Sequence, residues 1–240
     1  MPLKKSFLLL TFIVLTATFN VSFANKPQNP NLSEPTSIVI NEIMYHPYHP
    51  VPGQEETGAE YIELLNRGAE PVNLSGWRFS DGVDFIFAEV LLGAGEFLVA
   101  AANVDTFKAN YPSISNVIGG WEGRLSNRGE VIELLDDKGS QIDKVHYADE
   151  GNWALRELGP LDFGHRGWVW SDDHDGGGGS LELINANMPN EFGQNWTSSN
   201  VSGGTPGVIN SAADNDIAPL IFEAIHWPII PGSGDAVTVS

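Results

Sequence analysis

Acidic residues recur in this chain at spacings suited to chemistry. Glu60 to Asn66 reads EYIELLN, and Glu130 to Asp136 reads EVIELLD. Paired carboxylates are the tools of glycoside hydrolysis, one kept protonated as general acid and one ionised, about 5–10 Å apart. Glu63 and Glu133 hold equivalent places in the two phrases and would be such a pair. A second pattern, SDDHDGGGGSLE, puts Ser171, Asp173 and Asp175 at positions 1, 3 and 5 of a twelve-residue loop. Gly176 then falls at position 6, the carbonyl of Gly177 at 7 and Glu182 at 12, the spacing of an oxygen-ligand calcium loop with Ser where Asp belongs. Losing the carboxylate at position 1 predicts weak binding, so calcium is the one ion the spacing suits, and no motif requires a cofactor. A third group, His46 and His49 in MYHPYHP, lies near Glu42, but Pro47 and Pro50 break the segment and point to an entry loop. Nucleophile-elbow, phosphate-loop and HExxH patterns are missing, and with no cysteine, thiol catalysis and thiolate metal sites are excluded.

The elements that carry these residues read as strands. In YIELL, alternation sets Ile62 and Leu64 on one face and Tyr61, Glu63 and Leu65 on the other. In VIELL, Ile132 and Leu134 take the first role, and Val131, Glu133 and Leu135 the second. Each phrase runs into a Gly-bearing turn and a further short strand, VNL or IDKV, so the repetition is a hairpin pattern used twice. On this reading Glu63 and Glu133 are carboxylates on the wet face of a sheet, and no residue is assigned a catalytic role. Short apolar runs separated by Gly, Pro, Asn and Asp continue to SLELIN, which indicates an all-β sandwich. One helix is predicted within Asn103 to Pro112, capped by Asn103 and stopped by Pro112.

The first 24 residues read as a secretory signal peptide, with Lys4 and Lys5, an apolar stretch, and a small-residue site ending at Ala24. Residues 25–37 are a polar, Pro-rich linker. Removing the two leader lysines leaves ten basic residues against 31 acidic ones, a net charge of −21. That charge argues against nucleic acid as a partner and against anionic lipid. No stretch after the leader is long and apolar enough for a membrane helix, so no membrane insertion is expected after cleavage.

Several blocks in order, IVINEIMY, GAEYIELLNRGAEPVNLSGWRFSDG, LLGAGEFLVAA, LSNRGEVIELLDDKGSQIDKVHY, SLELIN and GGTPGVIN, resemble the lamin tail domain in its exported bacterial form. The resemblance covers residues 38–211. It implies an immunoglobulin-like antiparallel β-sandwich without enzymatic activity of its own, a buried Trp77, and a role in adhesion, anchoring or scaffolding beside other modules. It supplies no functional residue set.

Residues 148–180 exceed a minimal domain of this kind and are dense in Trp, Gly and Asp. Trp153, Trp168 and Trp170 suit either packing over the end of the sandwich, which we favour, or an exposed platform. Residues 212–240 read as a linker and the beginning of a truncated second β-sandwich, with PLIFEAIHWP and DAVTVS as two strands. The expectation is a non-catalytic extracellular or cell-surface binding and scaffolding module, whose partner is an extracellular protein or polysaccharide. The second reading is an accessory domain of a secreted enzyme.

Overall fold

The computed structural model describes residues 36–215, together with 226–227 and 238–239. The expected signal peptide at 1–24, nearly all of the expected linker at 25–37, and most of the expected second-sandwich segment at 212–240 lie outside the described residues.

The strands follow in order: β1 (Ile38–Met44), β2 (Tyr61–Asn66), β3 (Val72–Asn73), β4 (Arg78–Asp81), β5 (Phe85–Ile86), β6 (Leu91–Leu92) and β7 (Phe97–Ala101). Helix α1 (Val104–Asn110) intervenes. Then come β8 (Val117–Gly119), β9 (Glu130–Leu135), β10 (Gln141–Tyr147), β11 (Leu155–Asp162), β12 (His165–Ser171), β13 (Leu181–Leu183) and β14 (Trp196–Ser198). The pairs β15 (His226–Trp227) and β16 (Thr238–Val239) bond antiparallel. A six-stranded sheet runs β14-β13-β1-β2-β7-β8 and a four-stranded one β10-β9-β4-β5. All pairings in these two sheets are antiparallel except β7 with β8.

The two repeated phrases occupy the interior of different sheets, β2 in the larger and β9 in the smaller. Their apolar faces do what alternation predicts. Ile62 and Leu64 meet Ile132 and Leu134 in one buried cluster that also contains Phe79, Trp77 and Tyr147. Trp77 is buried in that cluster, as the resemblance implies. The hairpin analogy holds for only one phrase. β9 turns into β10 and pairs with it, whereas β3, following β2, pairs with β6. β2 already has β1 and β7 on its two edges, so the residues after it have no free edge to join.

β1 is buried along its whole length, on both faces. A bulge at Asn41 sorts its residues between the two faces. Ile40 lies opposite Leu64 and Glu42 opposite Glu63, so Asn41 is an extra residue. The shift brings Ile38 and Ile40 before the bulge, and Ile43 and Tyr45 after it, into the same core. Glu42 and Met44 are left on the opposite, outer face. The Ile40 N–H donates to Asp143 Oδ2 on the other sheet at 2.7 Å. Asp143 also accepts from Asn190 Nδ2 at 2.8 Å, so one half-buried carboxylate clips the sheets together, and its loss of hydration raises its pKa.

The outer face has a second, smaller core of Met44, Tyr61, Val99, Ala101 and Phe107, roofed by α1. The helix forms where predicted, with Asn103 accepting the Thr106 N–H at 2.9 Å. No described helix is long and apolar enough to cross a membrane.

Candidate functional site

Glu63 and Glu133 do not come together. They stand on different sheets. Glu133 takes the Ser80 hydroxyl at 2.7 Å and Lys144 Nζ at 3.4 Å, and these contacts, led by the Ser80 hydrogen bond, hold its pKa below the usual carboxylate range. Glu63 is fully buried, which corrects the wet-face expectation. Its surroundings are covered by α1 and by residues 203–212, which cross the outer face of the large sheet.

Under that strap lies a row of three buried glutamates on adjacent strands. Glu182 of β13, Glu42 of β1 and Glu63 of β2 are successive cross-strand partners. Each grips the strap. Glu42 Oε1 accepts from Thr205 N at 2.9 Å, and also from the Tyr61 hydroxyl at 2.6 Å and the Ser180 hydroxyl at 2.5 Å. Glu63 accepts from Gly207 N and from Asn41 Nδ2. Glu182 accepts from Thr205 Oγ1 at 2.6 Å, Ser211 Oγ and Ala212 N. Asn210 exchanges hydrogen bonds with the bulge residue, donating to Asn41 O and accepting from Asn41 Nδ2. Tyr111 donates to Gly203 O at 2.6 Å, and the Tyr61 hydroxyl, given to Glu42, lies 3.2 Å from the same carbonyl. Gly204 sits at φ +78°, and a Cβ there would run into Glu42 Oε1 and the hydroxyls of Tyr61 and Ser180. Burial raises Glu42 to about 7, with the neighbouring Glu182 adding to it. Burial, then the closeness of Glu42, raises Glu63 well above the usual range.

The first glutamates of the two phrases do converge. Glu60 accepts from Leu125 N at 2.8 Å and Glu130 from Ser126 N at 2.6 Å. Tyr147 closes the turn by donating to Ser126 O at 2.7 Å. Burial lifts Glu60 to about 8 and raises Glu130 too. Behind Tyr147, the ring of Tyr45 packs at 4.8 Å, and its hydroxyl meets Nδ1 of buried His174 at 2.8 Å. His174 Nε2 lies 2.9 Å from Trp153 O. Burial lowers the pKa of that ring, so Nε2–H donates to the carbonyl and Nδ1 accepts from the phenol.

The calcium pattern is divided among separate duties. Ser171 ends β12. Asp175 Oδ1 lies 2.6 Å from His46 Nδ1, with Gly176 against the same imidazole. Asp173 accepts Gly179 N on its backbone carbonyl, and a Cβ on Gly177 would press against Asp173. Glu182 faces the strap, away from this loop's other candidates. Among the described residues, no group of three or more His, Asp or Glu is placed to hold a metal ion. His46 is accordingly no metal partner of Glu42, whose carboxylate lies under the strap.

The long insert divides its tryptophans. Trp153 is buried and packs on Trp196, ring centroids 5.8 Å apart. Trp168 and Trp170 are 55 % and 42 % exposed, against our preference for packing. They belong to a hairpin, β11–β12, that forms a sheet by itself. Leu155, Leu158, Leu161 and Val169 are exposed on it, and Phe163 at its tip is 98 % exposed. The pairing sets Leu158 across from Trp168. The reason for the exposure is geometric. β11 and β12 pair only with each other, so neither lies on the sandwich as a further strand would.

The whole describes a two-sheet β-sandwich with an acid-clamped strap and a projecting apolar hairpin. Residues 31–149 match the lamin tail domain family. The chain carries a lamin tail domain, an immunoglobulin-like fold. The match stops at Asp149, so β13, β14 and the strap that complete the large sheet lie beyond it. No curated protein matches the chain.

Neither the strap nor the Glu60–Glu130 turn was found from sequence. The signal available was a glutamate at the outward position of three strands, VINEIM, YIELL and SLELI, followed by the Gly- and Thr-bearing GGTPGVIN.

Proposed function

We propose that this protein is a non-catalytic binding and scaffolding module of the cell exterior, and that the β11–β12 hairpin is its contact element. The observation carrying this reading is the group of large apolar side chains that the hairpin holds in solvent, from Leu158 and Leu161 to Phe163 and Trp168. Exposed apolar groups gathered on one projecting element mark interaction surfaces. Leucine and valine alternate with the aromatics, which suits an apolar protein surface better than sugar rings, where aromatic faces do most of the stacking. The partner is therefore a protein of the cell exterior. The lack of catalysis is supported by the fate of the acids: Glu42, Glu60, Glu63, Glu130 and Glu182 all accept hydrogen bonds from the domain's own backbone or side chains. The leader-like N-terminus and the excess of acidic residues support an exported location.

The test is binding of the purified chain to isolated envelope material from the producing cell. Phe163→Ser with Trp168→Ser should lower binding at least tenfold without lowering the melting temperature, and protease treatment of the envelopes should abolish it. Equal binding by the variant removes the hairpin from the role. Binding that survives protease makes the partner a polysaccharide.

A further inference from the structure

Three carboxyl groups in a row, all fully buried, cannot all be ionised without mutual repulsion and loss of hydration. The hydrogen bonds say where a proton belongs. Glu42 Oε1 is saturated by three donors. Glu42 Oε2 is buried and accepts from no donor. A bare anionic oxygen in that position is costly, whereas a hydroxyl there can be given to a neighbouring carboxylate. Cross-strand register supplies one: Glu63 is directly opposite Glu42 on β2, and Glu182 directly opposite on β13. The titratable groups facing this pair are Tyr61 of β2, Glu182 of β13 and Tyr111 at the end of α1. The strap itself, GGTPGVINSA, brings only backbone N–H groups, hydroxyls and an amide.

We propose that Glu42, Glu63 and Glu182 form a proton-loaded latch: the strap 203–212 is closed over the sheet while the Glu42–Glu63 pair holds a proton, and loosens as that proton leaves. Closure orders the Thr205 and Gly207 N–H groups onto Glu42 and Glu63. Opening lets water reach the carboxylates, which then ionise at ordinary values. The direction follows from linkage. The closed state binds more protons than the open one between the ordinary glutamate value and the raised one. Closure is therefore complete on the acid side and weakens as pH rises, about tenfold per pH unit for one linked proton. With Glu42 raised to about 7, that window lies between roughly pH 5 and 7.

The experiment is amide hydrogen exchange of the intact chain at pH 5, 6, 7 and 8. Protection factors for Thr205 and Gly207 are read against those of Ile132 and Leu134 in β9, which report global opening. The ratio should fall about tenfold per unit up to pH 7. In Glu42→Gln the neutral amide replaces the proton-bearing carboxyl, and the ratio should become flat across the range. A ratio that is constant with pH in the native chain overturns the latch whatever the variant does. A slope in Glu42→Gln equal to the native one also overturns it.

Discussion

Glu60 and Glu130, the first residues of the two repeated phrases, accept hydrogen bonds from consecutive backbone N–H groups, those of Leu125 and Ser126. The repetition therefore meets at one turn, through its opening glutamates rather than its inner ones. Because burial keeps Glu60 protonated up to about pH 8, a neutral isostere should serve nearly as well. Glu60→Gln should cost under about 1 kcal/mol at pH 7. Glu60→Ala should cost about 1–3 kcal/mol, because the Leu125 N–H is left without an acceptor. Urea unfolding of both variants checks the difference, and equal losses would mean the carboxyl matters only for its bulk.

Trp77→Ala should destabilise the domain by about 3–5 kcal/mol, because the indole is packed in the core between the two sheets. Denaturant titration measures this, and a loss below about 1 kcal/mol would contradict the packing.

Stability should be greatest in mildly acid solution. Glu42 and Glu60 have folded values of about 7 and 8, above the ordinary glutamate value. Their contribution is complete below the unfolded value and is lost as pH rises through the folded ones. His174 works in the other direction. Its folded value is lowered, so its contribution is present above the unfolded value and is lost as pH falls below it. Two glutamates outweigh one histidine, so melting temperatures from pH 4 to pH 9 should be highest at or below about pH 5 and decline toward pH 8. A maximum above pH 8 would contradict the burial of these glutamates.

Millimolar calcium should leave the melting temperature equal to that in chelator. Glu182 is held by Thr205, Ser211 and Ala212, and Asp175 by His46. A calcium-dependent rise that Asp175→Ala abolishes would show that the loop rearranges to bind the ion.

The sandwich was legible because its signals are local. Ile62 and Leu64, and likewise Ile132 and Leu134, stand two apart around a glutamate, and Asn103 and Pro112 bracket one helix in both sequence and structure. The acid rows were not legible, because pairing decides them. Glu42 and Glu182 are 140 positions apart and meet only when β13 returns beside β1. Glu63 looked wet because period-two alternation says which residues share a face, not what covers that face. The calcium spacing meets a related difficulty. A twelve-residue pattern presumes that its ligands turn toward one centre, but here the chain enters β13 at Leu181 and sends Glu182 to the outer side of the sheet.

The bulge at Asn41 gives β1 a third direction. An ordinary strand addresses two sides, alternately. Deleting Asn41 would restore plain alternation and leave Ile43 and Glu42 facing the sides they face now. What would vanish is sideways reach: the amide that ties Glu63 to Asn210. One additional residue thus fastens the closing segment to two neighbouring strands of the large sheet. Hydrophobic patterning would be blind to its loss, since every apolar residue would keep its place.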